Sequence, residues 1–146
     1  MYSKALRAIG EAKNRKEGQT MREILFRGKD IAGNWHYGVP LVFTEDYVCI
    51  TAPHTYNKAV EAHTVGQYTG LTDKNGTKIF EGDIVLFPWG EKREVFSVEF
   101  VEGEFEAIPK RKSTDIWCIR IGSYAPEFEV IGNIHDNPEM LKEAQE

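Results

Sequence analysis

Cysteine is scarce in this sequence: Cys49 and Cys118 are the 2 among 146 residues, and neither lies in a C-x-x-C pair or beside a histidine. Each sits in an apolar stretch, which reads as a buried free thiol rather than part of a disulfide framework or a metal site. Long apolar runs are missing as well. Nothing approaches the ~18 consecutive apolar residues of a membrane-spanning helix, and the N-terminus lacks the apolar core of a secretory signal, so a cytoplasmic chain without a membrane partner is expected. The histidines His36, His54, His63 and His135 are far apart and fall in no H-E-x-x-H or close-pair spacing, which gives no metal site. There is no G-x-S-x-G elbow, and Gly66-Gln67-Tyr68-Thr69-Gly70 lacks the lysine and following Ser/Thr of a phosphate loop. No catalytic residue, cofactor or metal ligand is assigned, and a non-enzymatic protein is expected. Basic charge is also short: 18 Lys and Arg face 23 Asp and Glu, a net −5, which argues against a general electrostatic grip on nucleic acid.

What is present is ordinary for a globular chain. Hydrophobic residues make up 41% and charged residues 28%, and the length suits one domain with a real core. The charge is uneven. Residues 1–20 hold Lys4, Arg7, Lys13, Arg15 and Lys16 against Glu11 and Glu17, a balance of +3 that leaves −8 from Met21 onward. Ala5, Leu6, Ala8, Ile9 and Ala12 have the spacing of a short amphipathic helix. The run Lys16-Glu17-Gly18 ahead of Met21 reads as a translated ribosome-binding site, so residues 1–20 are expected to be an upstream extension from a misassigned start. A basic arm that contacts a partner is the competing reading.

From Met21 the chain alternates short β-rich runs with turn chemistry. Ile24-Leu25-Phe26 and Trp35 to Gly38 read as a hairpin, Val42-Phe43 and Tyr47 to Ile50 as a second pair, and Pro53 to Asn57 as a loop. Thr64 to Thr69 runs into Asp73-Lys74-Asn75-Gly76, where Asn-Gly predicts a type I′ turn. Ile84 to Phe87 is apolar on both faces, and Phe96, Val98 and Phe100 alternate with Ser97 and Glu99 as in a half-buried strand. A turn at Glu102-Gly103 returns Glu104 to Ile108. Ile116 to Ile121 and Phe128 to Ile134 read as two further strands. Asn137 as N-cap, Pro138 at the first helical position and Glu139 open a short terminal helix. Many short strands predict a small antiparallel barrel or sandwich.

Few residues invite a functional reading. In Glu81-Gly82-Asp83 a carboxylate stands at the mouth of an apolar strand, where an Asp hydrogen-bonds nearby amides, so Asp83 reads as a structural turn residue. Glu99, Glu102, Glu104 and Glu106 concentrate acid across one hairpin; a solvated strand face is favoured over a cation site, a carboxylate acid/base pair or a phosphate-mimicking surface. Phe87, Trp89, Tyr68 and Trp117 are candidates for an interaction surface, since aromatic anchors concentrate at interfaces.

Three blocks carry a family resemblance: Met21 to Lys29 with Trp35 and Tyr37-Gly38; Thr64 to Gly76 with Ile79 to Val85; and Glu129 to Glu139. In order and spacing they resemble the YopX family of bacteriophage and prophage proteins, over roughly Met21 to Leu141. The residues bearing the match include Gly66, Gln67, Tyr68, Gly70, Asn75, Gly76, Glu81, Gly82, Asp83, Gly132, Asn133, Asn137 and Pro138. The family pattern begins at the methionine that corresponds to Met21. The resemblance implies a mainly β fold, with a β-hairpin region over 21–60 and an SH3-like barrel region with a short terminal helix over 61–146. It implies a phage or prophage gene in a bacterial cytoplasm, and it implies no activity. The expected function is a binding or assembly module that forms a homo-oligomer or holds a host or phage protein. A nucleic-acid-binding barrel using Tyr68, Trp89, Trp117 and Lys110 to Lys112 is the alternative, and an enzyme using the acidic hairpin with a histidine comes third.

Overall fold

The computed structural model describes residues 21–89, 92–110 and 117–142, with backbone alone at Trp89 and Lys92. The expected N-terminal helix, Gly90, Arg111, Lys112 and Ile116 lie outside the described residues, as does the Trp89 side chain. Strands β1 (Phe26–Lys29), β2 (Trp35–Phe43), β3 (Tyr47–Thr51), β4 (Lys58–Glu61), β5 (Gly66–Thr72) and β6 (Lys78–Phe80) form a 6-stranded sheet ordered β4-β3-β2-β1-β5-β6. Strands β7 (Asp83–Trp89), β8 (Lys92–Val101), β9 (Glu104–Pro109), β10 (Ile119–Arg120) and β11 (Glu129–Asn133) form a 5-stranded sheet ordered β10-β9-β8-β7-β11. The chain is thus mainly β with two antiparallel sheets, and it passes from one sheet to the other at Glu81-Gly82.

Neither sheet closes, which corrects the expected barrel. In the second sheet β10 stops after two residues, so it cannot reach around to β11. The strand expected over 116–121 ends there because Ile121 opens the short helix α1 (Ile121–Tyr124), followed by a 3-10 turn at Ala125–Glu127. Pro126 has no N–H to give a ladder, and Ile121 and Ala125 instead bury their side chains at 1% exposure. A second short helix, α2 (Glu139–Lys142), closes the described chain. Its Asn137 offers its backbone carbonyl to Met140 N, while its side-chain oxygen accepts from Asn133 N at 3.3 Å.

The type I′ turn expected at Asn75-Gly76 is not formed there, whereas the turn at Glu102-Gly103 has that geometry. Glu102 and Gly103 both have positive φ, 50° and 89°, and Val101 pairs with Glu104, the two-residue type I′ geometry. At Asp73-Lys74-Asn75-Gly76 only Gly76 has positive φ. The Asp73 carboxylate decides this: Oδ1 accepts from Asn75 N and Thr77 N at 2.8 and 2.9 Å, which favours an Asx-supported turn with glycine in the left-handed position. The same carboxylate ties the hairpin tip to the second sheet, Oδ2 accepting from Val130 N at 2.9 Å.

The main core lies on the second sheet. Val85, Phe87, Phe96, Val98 and Ala107 pack with Ile79, Ile121, Ala125 and Phe128, so the run Ile84 to Phe87 is apolar on both faces because both are covered. Phe100, expected on the buried face of β8 with Phe96 and Val98, is 55% exposed at the strand's end. A smaller cluster of Val48, Ile50 and Val60 supports the first sheet. Phe128 is fully buried and its ring lies 5.2 Å from Phe87 and 6.1 Å from Phe96. Phe128→Ala should lower the unfolding free energy by about 3–5 kcal/mol in urea titration, as deletion of a buried aromatic does; a loss under about 1 kcal/mol would contradict this core.

Candidate functional site at the sheet junction

The two sheets are joined by a buried ion pair. Arg27 on β1 donates from Nη2 to Asp83 Oδ1 at 2.7 Å, and Asp83 Oδ2 accepts from Phe80 N at 2.7 Å. The guanidinium lies between the Trp35 and Phe80 rings, 4.7 Å from each centroid, a geometry that suits the flat, weakly hydrated arginine head. Burial pushes the Asp83 carboxyl upward, against the pull of Arg27 and the Phe80 amide. Arg27 Nε has no hydrogen-bond acceptor among the described residues.

A second clasp lies beside it. Asp136, in the turn after β11, accepts from Lys29 Nζ, from Trp35 Nε1 at 2.8 Å and from Asn133 Nδ2 at 3.0 Å. These donors, Lys29 foremost, hold its carboxyl well below the usual carboxylate range. Asn133 Oδ1 in turn accepts from His135 N and Asp136 N at 3.0 and 2.9 Å, an Asx turn that fixes the direction of His135. The His135 ring then lies 5.9 Å from Trp35 and 6.1 Å from His63, the latter in the 3-10 turn Ala62–Thr64 that follows β4. Sequence spacing hid this histidine pair, because nothing short-range links His63 to His135.

His63 and His135 border a cleft of about 260 Å³ whose other walls include Val65, Glu81, Gly82, Ser97, Glu99, Phe100 and Ile134. A neighbouring hollow of about 360 Å³ shares His63, Ile134 and His135 and adds Lys29, Asp30 and Glu61. Gly82 is needed at φ 89°; its N donates to Val98 O at 2.8 Å and its O accepts from Ile134 N at 2.9 Å, so one residue links β8 to the end of β11. Gly66 is needed for closeness: a Cβ there would stand 2.4 Å from Glu81 O. Ser97 donates from Oγ to Glu99 Oε1 at 3.0 Å. His36, by contrast, pairs with Asp30 at 2.7 Å and, as the largest cause, holds that carboxyl at about 2.

The expected interaction residues are scattered. Phe87 and Tyr68 are buried, at 4% and 8% exposure, while Trp117 is 77% exposed. Tyr68 packs on Phe80 at 5.6 Å, donates its N–H to Leu25 O and precedes the bulge around Gly70, where φ is 87°. Some residues of the family resemblance make close contacts. Gln67 O accepts from Glu81 N at 2.9 Å, Gly132 lies against the Asn137 side chain, and Pro138 O accepts from Leu141 N. Of the acidic hairpin, Glu99 reaches the cleft, Glu106 stands directly opposite it on β9, Glu104 pairs with Arg120 at 3.2 Å, and Glu102 forms the turn. No group of three His, Cys, Asp or Glu able to hold a metal exists among the described residues, and among them no helix is long and apolar enough to cross a membrane.

These features define a two-sheet β protein with a small cleft at the junction, and the resemblance has a counterpart in direct comparison. The chain belongs to the YopX family, described as YopX protein, which it matches over residues 25–142. No curated protein matches it. Among solved structures it is similar to the crystal structure of protein EF1440 from Enterococcus faecalis, at 24% identity and a TM-score of 0.54, covering 83% of this chain and 99% of that one. That likeness carries the fold alone.

The junction has a pH signature. Burial first, then the nearby His63, Arg27 and Lys29 charges, hold His135 below its ordinary 6.5, with Asp136 opposing. Below that value the unfolded chain binds the proton more readily than the folded one, so stability present above pH 6.5 is lost as pH falls through the folded value. His135→Gln should lessen the loss of stability between pH 7 and pH 5 in urea titrations; an unchanged pH profile would contradict the placement.

Proposed function

We propose that this chain is a non-enzymatic binding and assembly module of phage or prophage origin, working in a bacterial cytoplasm and self-associating through its first sheet. On this reading the open second sheet is the counterpart of the SH3-like barrel that the family resemblance implies. The observation that supports self-association is an apolar row on β2 and β3. Tyr37, Val39, Leu41, Val42, Phe43 and Tyr47 are all exposed, Phe43 at 65%. Its origin is local. The register of β2 against β3 shifts between Pro40 and Val42, a bulge that accommodates a proline inside a sheet. Beyond the shift both faces of the strand end are uncovered, so Leu41, Val42 and Phe43 are exposed in succession. Scattered apolar side chains are normal on a monomer, but six exposed ones on two adjacent, paired strands suit an interaction surface, and burying them contributes about 25 cal/mol per Å².

Light scattering on a size-exclusion column tests this reading. The unaltered chain should elute at a multiple of 16.7 kDa, and the double substitution Val42→Lys, Phe43→Ser should return it to the single-chain mass. An unaltered chain that is monomeric across about a tenfold range of concentration would refute self-association.

A further inference from the structure

We propose that the cleft at the sheet junction is a docking site for a basic segment of a protein partner, one that places a lysine or arginine side chain between His63, His135, Glu81 and Glu99. The inference rests on the binding-module reading but uses residues remote in sequence from the apolar row of β2 and β3, so each can fail without the other.

Shape and charge both support it. The walls combine apolar surface from Val65 and Ile134 with carboxylates from Glu81 and Glu99, which suits a side chain with an aliphatic stem and a charged head. The positive charge nearest the cleft is already committed, Lys29 to Asp136 and Arg27 to Asp83. The negative charge is not. Glu81, half-buried, and Glu61 of the adjoining hollow have no side-chain ion pair or hydrogen bond among the described residues. Glu99 has only the Ser97 hydroxyl and stands directly across the ladder from Glu106, a like-charge pairing that disfavours the sheet and that a bound cation relieves. The chain carries a net −5, so long-range attraction favours a basic partner and opposes a nucleic-acid strand.

The test is a titration of the full-length, ¹⁵N-labelled protein with an acetylated, amidated octapeptide of alternating arginine and alanine, followed by NMR. Binding should saturate, should shift the amides of His63, Gly82, Glu99 and His135, and should weaken about tenfold or more when Glu81→Gln and Glu99→Gln are combined. Both substitutions keep side-chain volume, and Glu99→Gln alone, at an exposed strand position, should give a smaller loss in the same direction. The proposal is overturned if those amides do not shift, if the glutamine variants bind the peptide unchanged, or if a single-stranded DNA or RNA oligonucleotide binds at the same amides in preference to the peptide.

Discussion

The pairing of Arg27 with Asp83 is the constraint on which the arrangement of the two sheets depends. One partner is on β1 in the first sheet, the other opens β7 in the second. A buried charge is costly unless it is matched and hydrogen-bonded, so neither strand can shift along the other without exposing an uncompensated ion. The aromatic faces of Trp35 and Phe80 complete the enclosure. Because Asp83 also holds the Phe80 amide, the crossing at Glu81-Gly82 is fixed by the residue directly after it. Such a pair contributes little net stability compared with apolar packing, and its larger effect is to select one geometry.

The cleft is a consequence of that geometry. With the sheets held at Arg27 and Asp83, the turn after β11 lies against β1 and β2, where Asp136 meets Lys29 and Trp35. Asn133 orders the same turn from within. His135 is thereby placed against His63, and Gly82 connects that corner to Val98 on β8. Glu81 of the crossing and Glu99 of the second sheet then border one concavity. The proposed binding there and the proposed self-association through β2 and β3 draw on separate parts of one fold, the first on the junction and the second on the exposed end of β2.

Much of this was legible locally. The strand from Glu94 to Val101, the turn at Glu102-Gly103 and the hairpin tip at Asn75-Gly76 are dictated by alternation and turn chemistry. The features that escaped had longer-range causes. The Asp73 carboxylate supports a different turn from the one that Asn-Gly alone favours. Ile121 belongs to a helix because its burial is decided by the core of the second sheet and not by the apolar run around it. Closure of a barrel depends on how far β10 extends, and the helix that begins at Ile121 sets that limit. Asp83 was readable as a turn residue that accepts from a backbone amide, but its partner lies in another sheet, and no periodicity points from Arg27 to Asp83 or from His63 to His135. Residue type alone points to Phe87 and Tyr68 as interaction aromatics, whereas burial removes both from the surface.

A double-substitution cycle on Arg27 and Asp83 addresses the central claim most directly. Measured by urea unfolding, Arg27→Met and Asp83→Leu should each destabilise the protein by about 3–5 kcal/mol, because each leaves the other group buried and unmatched. The two together should cost clearly less than the sum of the separate losses, with a coupling of about 1 kcal/mol or more. Additive losses would contradict the account, since they would mean that the two side chains do not hold the sheets together through each other.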